Sequence, residues 1–89
     1  MSLVLAKSKV GHDKNRVYVV LESTPEAARL ADGIHRTVSR PKIKKWKHLQ
    51  VIKSLPLDMI KLAEDPLDDA LIKKILKTYQ NNHEDRKEI

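Results

Sequence analysis

The chain has no cysteine and no phenylalanine, one tryptophan, two tyrosines and only two glycines in 89 residues. Without cysteine there is no disulfide framework and no thiolate metal site, which fits a reducing compartment. Two glycines are too few for a P-loop type of phosphate cradle. No apolar run approaches the roughly 20 residues of a membrane helix, and the short MSLVLAKSK opening lacks the charge order of a signal peptide. These absences lead to the expectation of a single, small, cytoplasmic protein that does not engage a membrane.

Acidic residues are missing from one stretch. None occurs between Gly33 and Leu57, where Arg36, Arg40, Lys42, Lys44, Lys45, Lys47 and Lys53 are all basic. Residues 1–53 carry a formal charge of +8 and residues 54–89 carry −2, within a total of +6. A one-sided field of this kind concentrates polyanions and is the first mark of a nucleic-acid binder.

The first half has the spacing of short strands. In RVYVVLES, Val17, Val19 and Leu21 fall on one face and Tyr18, Val20 and Glu22 on the other. LVLAKSKVG (3–11) alternates more loosely, and AARLAD (27–32) predicts a third strand with Ala28 and Leu30 inward. Asp32-Gly33 predicts a hairpin turn, with 34–39 as the return strand. After Pro41, residues 43–52 read as a bend or helical turn leading into a last strand, and Pro41 lets the lysine run stand off the sheet. The expectation is a mainly β fold with α, a small barrel of four to five strands.

From Pro56 onward the period changes. SLPLDMIKLA predicts a short helix opened by Ser54 and Pro56, with Leu57, Met59 and Ile60 packing inward. Leu67, Leu71, Ile75 and Tyr79, with Ile72 and Leu76 beside them, form one amphipathic stripe. Asp65 is the expected N-cap, Pro66 the first helical residue, and Asp68 and Asp69 first-turn charges. Three parts result: a barrel at 1–53, a helical extension packed on it at 54–80, and a flexible polar tail at 81–89.

The loop GHDKNR, residues 11–16, joins the first two strands. Gly11 and Asn15 suit left-handed backbone, so the loop exposes Lys14 and Arg16 beside backbone N–H groups, an arrangement suited to phosphate oxygens. The run RPKIKKWKH (40–48) supplies further cations, with Arg40 able to fork onto a phosphate. Trp46 and Tyr18 can stack on bases, although an aromatic in an apolar pattern is more often packing. The four histidines show no metal-ligand spacing. No nucleophile–base pair stands out either, which leads to the expectation of a non-enzyme without metal or cofactor.

The unit VLAKSKVGHDKNRVYVV resembles a KOW motif, and LADGIHRTVSRPKIKKWKHLQ resembles a bacterial branch of KOW-domain RNA-binding proteins. That branch is similar to the large-subunit ribosomal protein families fourteen-e, six-e and twenty-seven-e. The matching residues are Gly11, Asp13 and Lys14 in the first loop, Asp32 and Gly33 in the turn, and Arg40 to Lys42 with Lys47, His48 and Leu49 at the end. Asn15 and Tyr18 stand at or near positions where glycine is common. The resemblance covers residues 3–53 and implies an SH3-like barrel, monomeric off the ribosome, that binds structured RNA, chiefly large-subunit ribosomal RNA, in company with ribosomal proteins. Its RNA-facing residues would be Lys14, Arg16, Arg36, Arg40, Lys42, Lys44, Lys45, Lys47 and His48. A protein–protein adaptor, using the barrel and the C-terminal helix, and a transcription-elongation KOW module are the competing readings.

Overall fold

The computed structural model describes residues 3–52, 55, 57–62 and 66–87. It is a five-stranded antiparallel sheet with helices on one face. The strands are β1 (Leu5–Ser8), β2 (Val17–Ser23), β3 (Ala27–Ala31), β4 (Lys42–Lys45) and β5 (Leu49–Ile52), in the spatial order β4-β3-β2-β1-β5. A single 3₁₀ turn, Trp46–His48, connects the two edge strands β4 and β5. Two helices follow, α1 (Leu57–Leu62) and α2 (Asp69–Lys87).

The double-sided apolar pattern of β2 has a direct cause: both faces of the sheet are covered. On the outer face, Leu5, Val19 and Ala31 pack with Met59 of α1 and Ile72 and Ile75 of α2. On the inner face, Ala6, Tyr18, Ala28, Leu30 and Leu49 form a second core, with Val20 and Trp46 at its margin. Ala28 and Leu30 are inward, as the alternation predicts. Fully burying side chains the size of Met59, Ile72 and Ile75 contributes about 1.5–3 kcal/mol each, so α2 is a structural part of the outer core.

The inner face of β4 is not apolar. Its register, Leu30 opposite Lys42 and Ala28 opposite Lys44, places both lysines there, and Ile43, 65 % exposed, faces out opposite Arg29. Inward-pointing charge on an edge strand is a known guard against edge-to-edge pairing. Lys42 and Lys44 reach across the inner face to Asp13, beyond the end of β1, so the sheet is curled. No β4–β5 ladder closes it among the described residues.

Four expectations are corrected. Residues 34–39 form no strand. The chain from Asp32 to Pro41 is a loop, because the Asp32 carboxylate accepts the N–H groups of Ile34, His35 and Arg36, each at 2.9 Å, and folds the backbone onto itself. Pro41 does not release the lysine run, since Lys42–Lys45 pairs with β3 at a sheet edge. Ile60 is 39 % exposed rather than packed inward. The cap of α2 is Asp68, whose carboxylate accepts the Leu71 N–H at 2.7 Å, an interaction worth about 1 kcal/mol. The expected cap Asp65 and the expected openers Ser54 and Pro56 lie outside the described residues. α2 continues to Lys87, past the end of its apolar stripe, because residues 81–87 contain no glycine or proline to stop it.

Candidate nucleic-acid interface

The loop between β1 and β2 turns through two left-handed residues, Gly11 at φ +88° and Asn15 at φ +76°. Ser8 closes it: its N–H donates to the Arg16 carbonyl at 2.9 Å and its carbonyl accepts from the Asn15 N–H at 2.8 Å. Inside the loop, the Lys14 N–H donates to the Gly11 carbonyl and the Arg16 N–H to the Asp13 carbonyl. Lys14 and Arg16 are exposed on this rigid turn.

Asp13 is the centre of the arrangement. It is 6 % exposed, and both carboxylate oxygens are engaged. Oδ1 accepts from Ser8 Oγ at 2.9 Å and from Lys44 Nζ at 2.8 Å. Oδ2 accepts from Tyr18 Oη at 2.9 Å and from Lys42 Nζ at 2.8 Å. Lys44 also donates to the Val10 carbonyl at 3.0 Å. Burial alone would raise the Asp13 carboxyl, but the hydrogen bonds from Lys42, Lys44, Ser8 and Tyr18 outweigh it and hold the group well below the usual carboxylate range. Burial, reinforced by the bond to Asp13 and by its charge, pushes the Tyr18 phenol up to about 12.

The network redraws the expected cation set. Lys42 and Lys44 do not present free ammonium groups: their side chains are only 27 % and 11 % exposed and are tied to Asp13. Lys45 is exposed but lies opposite Ala27, beside the turn between β2 and β3. Its neighbour Trp46 anchors there, the backbone N–H donating to the Glu26 carbonyl and Nε1 to the Thr24 carbonyl at 2.8 Å. Tyr18 therefore belongs to the inner core and Trp46 packs against its margin, which agrees with the packing reading of both aromatics.

His48 returns to the loop, its carbonyl accepting the Lys9 N–H at 2.9 Å, while Lys47 is exposed on the 3₁₀ turn before it. Arg36 and Arg40 are exposed on the loop from Asp32 to Pro41. That loop leaves the sheet at the same end as residues 9–16, since it runs directly into Lys42, which reaches Asp13. Gly33, at φ +81°, presses against α2, where an added Cβ would come within 2.5 Å of the Asp69 carbonyl. The Val38 N–H donates to Asp69 Oδ1 at 2.8 Å. Gly33 is thus not the hinge of a two-residue hairpin but the contact that seats the loop on the helix. Burial would raise Asp32, yet the N–H groups of Arg36, Ile34 and His35 lower it overall.

The loop end of the sheet thus carries Lys14, Arg16, Arg36, Arg40 and His48, together with Lys9, which the sequence reading missed despite its place at the mouth of the loop; Lys47 is exposed on the 3₁₀ turn that crosses toward it. The role of Asp13 as a clamp was also missed. Its signal was the lone acid between Lys9 and Lys14, but its partners are 29 and 31 residues away. Among the described residues, no group of three histidine or carboxylate side chains is placed to hold a metal ion, and no helix is long and apolar enough to cross a membrane. No family model matches the chain, and no curated protein matches it.

Proposed function

We propose that the protein is a non-enzymatic binder of structured RNA, built on an SH3-like barrel of the KOW kind and acting on ribosomal RNA as a ribosome-associated or ribosome-assembly factor. The observation that carries this reading is the Asp13 clamp. It fixes the loop of residues 9–16 to β4 and leaves Lys14 and Arg16 exposed on a preorganised turn. Preorganised cations lose little conformational freedom on meeting phosphates. The strand order, with one 3₁₀ turn joining the edge strands, and the resemblance of residues 3–53 to KOW proteins support the same reading.

The binding edge then consists of Lys14, Arg16, Arg36, Arg40, Lys47 and His48. Lys42 and Lys44 hold the scaffold, and Lys45 stands apart. Binding of large-subunit RNA fragments across a salt series tests this. Log affinity should fall linearly with log salt, and Lys14→Gln or Lys47→Gln should each reduce the slope by roughly 0.7–0.9. Lys45→Gln should change it far less. An affinity that is flat in salt overturns the proposal and favours the adaptor reading.

A further inference from the structure

A groove of about 410 Å³ opens between α2 and the start of β2, on the far shoulder of the same loop. Its walls include Lys7, Arg16, Val17, Asp32, Leu76 and Tyr79. The volume falls within the roughly 300–1,000 Å³ of small-molecule sites, too small for a helix or a duplex to enter.

The chemistry of the walls is divided. Val17, Leu76 and Tyr79 are half-buried members of the outer core margin and give the groove an apolar, partly aromatic side. Lys7 and Arg16 give it two cations. Asp32 is the one acid among these six, and one of its oxygens is already committed to three backbone N–H groups. An aromatic and aliphatic surface beside two cations matches a planar base carrying a phosphate: rings stack on aromatic side chains while phosphates meet Lys and Arg.

We infer that this groove is a pocket for one unpaired nucleotide of the bound RNA, its base against Tyr79, Leu76 and Val17 and its phosphate toward Lys7 and Arg16. The inference rests on the RNA-binding reading and deepens it. Arg16 belongs both to the exposed loop and to the groove wall, so a strand that follows the loop delivers its next base to the groove. It also gives α2 a second role beyond covering the sheet, that of selecting RNA with an extruded or single-stranded base over uninterrupted duplex.

The test uses the full chain and two RNA duplexes that differ only in one bulged nucleotide, alongside titrations with adenosine, guanosine, cytidine and uridine 5′-monophosphates and with inorganic phosphate, read by amide chemical shifts. The bulged duplex should bind about tenfold more tightly than the blunt one, the scale expected of one stacked base. Nucleotides should shift the amides of Lys7, Val17, Leu76 and Tyr79 more than inorganic phosphate does. Tyr79→Leu keeps an apolar side chain toward the core and should abolish the advantage of the bulge. Equal affinity for the two duplexes, with no nucleotide-specific shifts in the groove, overturns the pocket and leaves the RNA-binding reading standing. Groove shifts with nucleotides but no salt-sensitive duplex binding overturn the parent reading and, with it, the assignment of the groove to bound RNA. Shifts identical for phosphate and nucleotides mean that only an anion is held, and they overturn the nucleotide assignment.

Discussion

The two loops at the basic end of the sheet use the same pair of residue types in opposite ways. In the loop of residues 9–16, Gly11 supplies a left-handed turn in open surroundings, where an added Cβ would meet nothing closer than 3.5 Å. Asp13 turns inward and holds side chains from β1, β2 and β4. In the loop that starts at Asp32, the aspartate works locally, on backbone two to four residues ahead, and the glycine makes the tertiary contact, against the backbone of α2. One loop is pinned by its carboxylate and the other by its lack of a side chain. A glycine-aspartate signal in sequence therefore marks a turn in both, but not which residue carries the long-range constraint.

The largest effect that separates the loops is expected from Asp13→Ala. It leaves the Lys42 ammonium and a buried phenol without their acceptor and Lys44 with only the Val10 carbonyl, a loss of about 3 kcal/mol or more by analogy with broken buried pairs. Urea denaturation checks this. The pH profile adds a second reading. Because folding lowers the Asp13 carboxyl below its ordinary value of 3.8, its stabilisation is complete above about pH 4 and is lost as pH falls further. Asp13→Ala should flatten that acid limb, and a limb of unchanged steepness would show that the clamp is energetically idle.

Gly33→Ala should follow at about 2–3 kcal/mol, from left-handed strain together with the 2.5 Å approach to the Asp69 carbonyl. Gly11→Ala meets only the strain and should cost about 1 kcal/mol. Equal costs at the two glycines, measured by thermal denaturation, would remove the distinction between the loops. Asp32→Ala deprives three N–H groups of their acceptor, but the site is half-exposed and water can replace the carboxylate. A loss of about 1–2 kcal/mol is expected, with faster amide exchange confined to residues 34–36. The smallest effect is spectroscopic. Tyr18, pushed up to about 12, should ionise late in an ultraviolet titration, and Tyr18→Phe should remove that late step.

Much of this architecture was legible because it depends on local pattern. The alternation in 17–21 placed Val19 and Tyr18 on opposite faces, and both faces proved to be cores. The four-residue stripe from Leu67 to Tyr79 gave the packed side of α2. The strand at 34–39 failed because a local competitor, the Asp32 carboxylate, captured the backbone N–H groups that a strand would have paired. The basic run is divided for a related reason: adjacency in sequence is not adjacency in space. In Lys42–Lys45 the strand period sends alternate side chains to opposite faces.

The sequence alone determined the first three strands, the apolar stripe of α2, the basic half and the left-handed loop at Gly11 and Asn15, since these follow from periodicity, charge and backbone preference within a few residues. Tertiary structure decided which charges remain free. Lys42 and Lys44 are chemically indistinguishable from Lys45 and Lys47 along the chain, and only the curl of the sheet, which brings Asp13 within 2.8 Å, commits the first two to holding the fold. Coulomb attraction and desolvation depend on distance and burial, and neither can be read from the order of residues.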